Sequence, residues 1–299
     1  IMGCVGQVGE QAINVSRNAV LAAGWPEIVP GTTIDRQCGS SQQAAHFAAQ
    51  GVMAGAYDVV VAGGIESMTR VPIGISGDQG PGKPFGPRMV DRYDKGLVPQ
   101  GISAELIAEK WEMTREELDG YAVESHMRAD RATSEGRFEN EILPIEVKDD
   151  DGVVEMMTRD EGIRPTTSLE KLAGLPAVFK QDGMITAANS SQITDGAAAM
   201  LIMAADKAKE LGYTPRARFH SFSLAGADPV MMLPAPIPAT HKVLERAGMT
   251  IDDIDLIELN EAFASVVGAW LRDTGADYEK TNVNGGAMAL GHPLGASGA

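Results

Sequence analysis

Apolar residues recur at helical spacing from Gly9 to Gly24, and Gly24-Trp25-Pro26 stops the run, which predicts a first helix there. Thr32-Thr33-Ile34 reads as a short strand. From Gln42 to Ala54 the chain is uncharged and rich in Ala and Gly, and a helix without a polar face is predicted to be buried. Tyr57 to Ala62 (YDVVVA) is a short β-branched apolar run, the pattern of a buried parallel strand, and Gly63-Gly64 is expected to end it. Together these segments predict a strand–helix–strand unit with Cys38-Gly39-Ser40-Ser41 at the entrance to its helix.

The pattern changes near Met68. Residues 68–193 are richer in Pro, Gly and charge, as expected of an inserted lobe. Within them Gly101 to Trp111 and Glu116 to Ala132 read as amphipathic helices, and Asp149-Asp150-Asp151-Gly152 reads as a turn between strands. After Thr194 the earlier pattern returns. Asp195 to Ala204 is an apolar run of small residues, and Ala205 to Leu211 is helical. Arg216 to Ser221 is a candidate strand, and Pro238 to Ala247 is a helix ending at Gly248. Asp255 to Leu259 (DLIEL) is a strand, and Glu261 to Leu271 a helix. The expected organisation is therefore 1–67, 68–193 and 194–299, with strand, elbow and helix recurring in the first and third parts.

Composition narrows the function. The 299 residues are 44% hydrophobic, enough for a large core. A net charge of −16 argues against a general nucleic-acid role, which needs a basic face. A few arginines could still hold an anionic small molecule. The two cysteines, Cys4 and Cys38, form neither a disulfide framework nor a metal-binding pair. With no apolar run of about 18 residues and no signal peptide, a cytoplasmic setting is expected. Ile1 opens directly on an apolar stretch and the chain stops at Gly295-Ala296-Ser297-Gly298-Ala299, so both ends read as cut within structure.

Three places could carry chemistry. Cys38 stands where a strand becomes a helix, and free N–H groups there favour a thiolate nucleophile and an oxyanion site. The competing reading is a buried, inert cysteine. Asn260 follows the DLIEL strand and either orders a water or an oxyanion, or caps the next helix. His292 is held in a loop by Pro293 beside a dense run of glycines, and is either a general base or oxyanion donor, or structural. His46, His126, His220 and His241 show no ligand spacing, and no metal is expected. Neither GxGxxG, a P-loop nor GxSxG is present.

In this order, Asp35-Arg36-Gln37-Cys38-Gly39-Ser40-Ser41, Asn260-Glu261-Ala262-Phe263 and Gly291-His292-Pro293-Leu294-Gly295-Ala296-Ser297-Gly298 resemble the nucleophile, NEAF and GHPxGxSG motifs of the thiolases (acetyl-CoA C-acyltransferases), over nearly the whole chain. The resemblance implies an α/β fold of five layers, αβαβα, built from two βαβαβαββ halves with an inserted loop lobe. It implies an acyltransferase of β-oxidation that cleaves 3-ketoacyl-CoA through an acyl-cysteine, with no tightly bound cofactor, coenzyme A as co-substrate, and a homodimer or homotetramer with β-oxidation partner subunits as further candidates. By the same resemblance Cys38 is the nucleophile, His292 activates it, Asn260 holds a water in the oxyanion site, and Phe263 lines the substrate pocket. Arg164 and Phe179 would hold the adenine, a guanidinium and a ring being suited to sandwich a base. Ala187, Ser191 and Ile193 would line the pantetheine arm. Ordinary lobe packing is the alternative for each of these five.

Two departures stand out. The family's second cysteine, in a CxGGG-like motif near the C-terminus, is expected beyond the point where this sequence stops, and Cys4 lies in the wrong segment to replace it. Pro99 and Gln100 stand where short-chain biosynthetic members carry a histidine–methionine pair, which favours a degradative enzyme for longer, branched or steroid acyl groups. An acetoacetyl-CoA-specific biosynthetic enzyme, a ketoacyl synthase and a non-catalytic acyl-CoA-binding subunit are the competing readings.

Overall fold

The computed structural model describes residues 1–93, 96–148 and 151–299. In chain order its elements are β1 (Met2–Gly3), α1 (Val15–Ala22), β2 (Thr33–Ile34), α2 (Ser40–Met53), β3 (Val59–Ser67), α3 (Ile75–Asp78), α4 (Pro87–Arg92), α5 (Gln100–Lys110), α6 (Arg115–Ser134), β4 (Ile145–Lys148), β5 (Val154–Met157), α7 (Leu169–Ala173), β6 (Asp195–Met203), α8 (Ala205–Glu210), α9 (Pro236–Ala247), α10 (Ala264–Thr274) and α11 (Ala287–Leu290). The chain packs into two compact units. Unit 1 is Ile1–Lys95, Ile193–Phe222 and His292–Ala299, and unit 2 is Gly96–Gln192 and Ser223–Gly291.

Unit 1 is built on a four-stranded sheet in the order β2-β1-β3-β6. β1 runs parallel to both β2 and β3, so the strand–helix–strand unit read from sequence is real but β1 lies between its two strands. β3 and β6 pair antiparallel from Val59↔Met203 to Ser67↔Asp195. β3 therefore does not end at Gly63-Gly64. A Cβ on Gly64 would lie 2.8 Å from Ala296 Cα, so glycine lets the strand continue under a closely packed loop. α2 lies on the sheet through Ala45, Ala48 and Ala49, which meet Ala62 and Ile202. Side chains this small bring helix and sheet backbones together, and enlarging the fully buried Ala48 to Leu would cost about 1–3 kcal/mol. The helix is not buried all round, because Phe47 and Met53 are exposed. The first predicted helix forms as a short 3₁₀ turn and then α1, whose start is fixed by Asn14 accepting from the Arg17 N–H. Residues 216–221 form no strand. Phe219 instead packs on the α2–β3 core and stacks on Phe222, with ring centroids 5.5 Å apart.

Unit 2 is mainly helical. α5, α6 and α10 pack around a core that includes Ile107, Leu118, Ile185, Phe263, Val266 and Met288. α6 starts at Thr114, whose side chain accepts from the Glu117 N–H, and Glu116 and Glu117 complement the positive end of the helix. Of the predicted acidic turn, Asp149 and Asp150 lie outside the described residues. Gly152 adopts φ 83° just before β5, which pairs with β4 in register Ile145↔Met157. The DLIEL segment is not a strand: Ile257 makes a single bridge to Thr281. Beyond it, the Asn282 side chain takes over the pairing, accepting from Leu259 N at 2.8 Å and donating to Leu259 O at 2.9 Å. α10 begins at Ala264, later than the predicted Glu261, because Glu261 is held in the preceding loop.

Candidate functional site

In unit 1, β2 ends at Ile34 and the chain turns sharply into α2 with Cys38 at the turn. Gln37, just before it, is left-handed at φ 49°, a conformation that costs a non-glycine residue about 1 kcal/mol or more. The turn is held by its own polar groups. Gln37 N donates to Asp35 Oδ1 at 2.7 Å. Ser40 Oγ donates to Gln37 O at 2.6 Å and accepts from Arg36 N at 2.9 Å. Cys38 thus precedes Gly39, the N-cap of α2, and is half-buried. The expectation of a thiolate at rest is corrected here. Burial pushes the Cys38 thiol up, the carboxylates of Glu66 and Asp35 push it the same way, and only its own backbone N–H lowers it. The resting group is the thiol, and nucleophilic attack needs a base.

His292 is brought to the same unit by the last residues of the chain. Gly298 N donates to Ser41 Oγ at 2.9 Å, tying together positions 257 apart in sequence. Gly295 N donates to Glu66 Oε2 at 3.0 Å, and Pro293 packs against Gly196 of β6. A Cβ on Gly295 would lie 2.7 Å from both Cys4 Cα and Glu66 Oε2, so the loop seats only with glycine there. The His292 side chain is buried, and burial lowers its pKa to about 4, which leaves the imidazole neutral at pH 7. Nδ1 lies 2.5 Å from Ser297 Oγ, itself within 3.4 Å of Pro293 O. With Nδ1–H donated to Ser297, Nε2 carries the lone pair that can accept a proton.

In unit 2, Asn260 is exposed and does not cap α10, whose N-cap is Phe263 without a side-chain bond. The capping alternative is thereby removed. Its neighbour Glu261 is buried and accepts from Ser125 Oγ at 2.7 Å, Asn282 Nδ2 at 3.0 Å and Met288 N at 3.1 Å. Burial raises its carboxyl pKa, while these donors and Arg128 oppose the shift. Asn189 to Ser191 run antiparallel to Ala262 to Ala264: Ser191 N donates to Ala262 O at 3.0 Å and Ala264 N to Asn189 O at 2.9 Å. Ser191 is therefore placed beside the Asn260 segment. Phe263 is buried and meets the half-exposed ring of Phe179 edge-on at 5.9 Å. Ala187 is exposed, and so is Arg164, whose N–H donates to His126 Nδ1 at 3.1 Å and whose guanidinium turns back to Gly162 O.

The structure thus groups Cys38 and His292 in unit 1, and Asn260, Phe263, Arg164, Phe179, Ala187 and Ser191 in unit 2. Ile193, exposed, opens the middle segment of unit 1. Sequence reasoning missed Glu66, the strained Gln37 and the Ser41–Gly298 tie. Only Glu66 left a signal, as the one carboxylate in the otherwise apolar and small run VVVAGGIES. Cys4 is fully buried against Glu66, with its thiol pushed up to about 12, and is not an acid for this site.

Among the described residues no group of three His, Cys, Asp or Glu side chains could hold a metal, and no helix is long and apolar enough to cross a membrane. The family models for the thiolase N-terminal and C-terminal domains match residues 1–206 and 213–299. The chain is 50% identical over 307 residues to a steroid 3-ketoacyl-CoA thiolase of Mycobacterium tuberculosis, covering 100% of this chain and 73% of that protein. It is 48% identical to a 3-ketoacyl-CoA thiolase of Idiomarina loihiensis, covering 99% and 76%. The crystal structure of human mitochondrial 3-ketoacyl-CoA thiolase superposes with a TM-score of 0.88 at 40% identity, covering 98% of this chain and 76% of that one. A Bacillus anthracis acetyl-CoA acetyltransferase gives 0.88 at 39%, covering 99% and 76%. With both family models matched across nearly its whole length and relatives at 50% and 48% identity, the chain is a member of the thiolase family, an acyltransferase of that fold.

Proposed function

We propose that this enzyme cleaves 3-ketoacyl-CoA with coenzyme A in β-oxidation, giving acetyl-CoA and a shortened acyl-CoA. The observation that supports the reading is that unit 1 holds both Cys38, at a strained elbow, and His292, buried on a loop tied to the same helix start, with burial favouring the neutral form of each. Neither group is charged at rest, so a proton can pass from thiol to imidazole as the sulfur attacks. The Cys38 sulfur adds to the 3-keto carbon, and His292 Nε2 takes the thiol proton. The C2–C3 bond then breaks, leaving the acyl group on sulfur and an electron pair on the acetyl-CoA carbon, which takes up a proton, in net balance the one His292 took from Cys38. The second CoA gives its thiol proton to His292 as its sulfur adds to acyl-Cys38, the C–S bond to Cys38 breaks, and the Cys38 sulfur takes that proton back as the new acyl-CoA leaves.

Backbone N–H groups at the start of α2 are suited to the oxyanion formed on Cys38, and a water ordered by the exposed Asn260 to the thioester oxygen. Phe179 with Arg164 serves the adenine, Ala187, Ser191 and Ile193 the pantetheine arm, and Phe263 the acyl pocket. The ladder that sets Ser191 beside Ala262 supports this assignment. The three-part division at 67 and 193, argued from the change in composition near Met68, and a cytoplasmic location, argued from the two unpaired cysteines, belong to the same reading, as does a homodimer or homotetramer, which rests on the family resemblance.

The test is loss of the 3-ketoacyl absorbance with acetoacetyl-CoA and with a longer or steroid 3-ketoacyl-CoA, each with CoA. The reading expects cleavage that disappears in Cys38→Ala and is faster for the bulkier substrate. Faster cleavage of acetoacetyl-CoA would point to the biosynthetic class, and CoA binding without cleavage to a non-catalytic subunit.

A further inference from the structure

Beyond helping to keep the Cys38 thiol protonated, Glu66 has no part in the chemistry above, yet five hydrogen bonds converge on its side chain. It leaves β3 into the interior with 2% of its surface exposed. Oε2 accepts from Val5 N at 2.8 Å and Gly295 N at 3.0 Å. Oε1 accepts from Gly6 N at 2.9 Å and Gln11 Nε2 at 3.0 Å, and the Cys4 thiol donates to it at 4.0 Å. Four N–H groups from three separate stretches of chain converge on two oxygens. Only an acceptor with no proton of its own satisfies all of them. Gln11 fixes the orientation, because its Oε1 accepts from Ser67 N at 2.6 Å and its Nε2 also donates to Gly6 O at 2.8 Å. Of these partners only Gly295 belongs to the loop that carries His292, 229 positions away.

Resting on the thiolase reading, we infer that Glu66 is a positioning residue for acyl transfer: its carboxylate fixes the Gly295 N–H, and so holds the His292 loop against the elbow of Cys38. With burial this complete, no water replaces a lost bond, and the loop is left to ties such as those through Ser41 and Pro293. In Glu66→Gln the amide NH₂ faces two N–H donors, whichever way it is turned. In Glu66→Asp the carboxylate is one methylene too short to reach both Val5–Gly6 and the loop.

The experiment follows acetylation of Cys38 by acetyl-CoA alone, by rapid quench and mass spectrometry, in the wild type, Glu66→Gln and Gln11→Ala. This half-reaction transfers acetyl from the CoA sulfur to the Cys38 sulfur, and the thiol proton ends on CoA. The expected result for Glu66→Gln is a saturating rate constant about 100-fold lower, with the half-saturating acetyl-CoA concentration and the fraction of Cys38 labelled unchanged. Amide exchange in residues 292–298 should quicken. Gln11→Ala, which keeps the carboxylate and loses its brace, should show a smaller change in the same direction, and it carries the test if Glu66→Gln does not fold. An unchanged rate constant, or a fall in the labelled fraction alone, overturns the proposal, since a purely structural role changes how much protein reacts and not how fast. A wild type that forms no acetyl-Cys38 overturns the thiolase reading instead. The anchor is then judged by exchange of residues 292–298, and unchanged exchange in Glu66→Gln would overturn it.

Discussion

The two units solve the same problem with different materials. Each has to hold a functional loop without lending it regular structure, and each does so with a buried glutamate. In unit 1, Glu66 ties the His292 loop to a sheet through backbone N–H groups. In unit 2, Glu261 ties the Asn260 segment to α6 through the Ser125 hydroxyl, to α11 through the Met288 N–H, and to the Asn282 amide between them. The units differ in what they present. Unit 1 carries a thiol and an imidazole, both uncharged and shielded, and unit 2 carries exposed Asn260, Ala187 and Arg164 with the half-exposed ring of Phe179. Covalent chemistry is best served by desolvated groups of matched proton affinity, and recognition of a long polar substrate by exposed ones. The lesson is a division of labour: changes in unit 1 should act on rate, and most changes in unit 2 on binding or on stability.

The division breaks first if the nucleophile is misplaced. Cys38→Ala should lower 3-ketoacyl-CoA cleavage by about 10⁴-fold or more while CoA binding, measured by calorimetry, stays as in the wild type. His292→Gln should follow with a fall of about 10³-fold in kcat and little change in KM. An equal effect on KM would place His292 on the recognition side.

On the other side of the comparison, Glu261→Ala leaves three buried donors without an acceptor. It should cost about 3 kcal/mol in denaturant unfolding.

Acid should strain both units alike. His292 in unit 1 and His126 in unit 2 are each lowered to about 4, chiefly by burial. Below the unfolded value of 6.5 the unfolded chain binds protons that the native imidazoles refuse, so these two groups withdraw stability as pH drops from 6.5 towards about 4, while the buried Glu258 carboxyl, raised to about 7, opposes them over the same range. By pH 5 each histidine should withdraw about 2 kcal/mol, so His126→Gln should lose about that much less than the wild type over the same drop in pH. A slope untouched by that substitution would mean that His126 is not held neutral. The smallest effect expected is that of Ser191→Ala, a rise of about five-fold in KM for CoA at constant kcat, equivalent to one hydrogen bond of about 1 kcal/mol.

The sequence made the periodic elements legible. α2, α5, α6, α8 and α9 lie within a few residues of where the spacing of apolar side chains puts them, and β3 starts there but runs on to Ser67. It failed where pairing is set by something other than pattern. DLIEL has the alternation of a strand, but the Asn282 amide, reaching back across the fold, takes the Leu259 N–H and C=O that a neighbouring strand would have used. Gly63-Gly64 looked like an end because glycine commonly is one. Here Gly63 clears Ala198 of β6 and Gly64 clears the Gly295-Ala296 loop, and nothing near position 64 announces a partner more than 200 residues away. The candidate site was legible as motifs, since Cys38, Asn260 and His292 stand in marked local settings. The state of Cys38 was not. A helix start argues for a thiolate, whereas burial together with Asp35 and Glu66 outweighs it, and burial is a property of the fold.

The central claim is that Cys38 is the acyl carrier and His292 its base. The most direct measurement is mass spectrometry of the chain quenched with acetyl-CoA in the absence of free CoA. The account predicts one acetyl group, on the peptide containing Cys38, formed much more slowly in His292→Gln and absent in Cys38→Ala. Acetyl found on the Cys4 peptide, or formed on Cys38 at the same rate without His292, would contradict it.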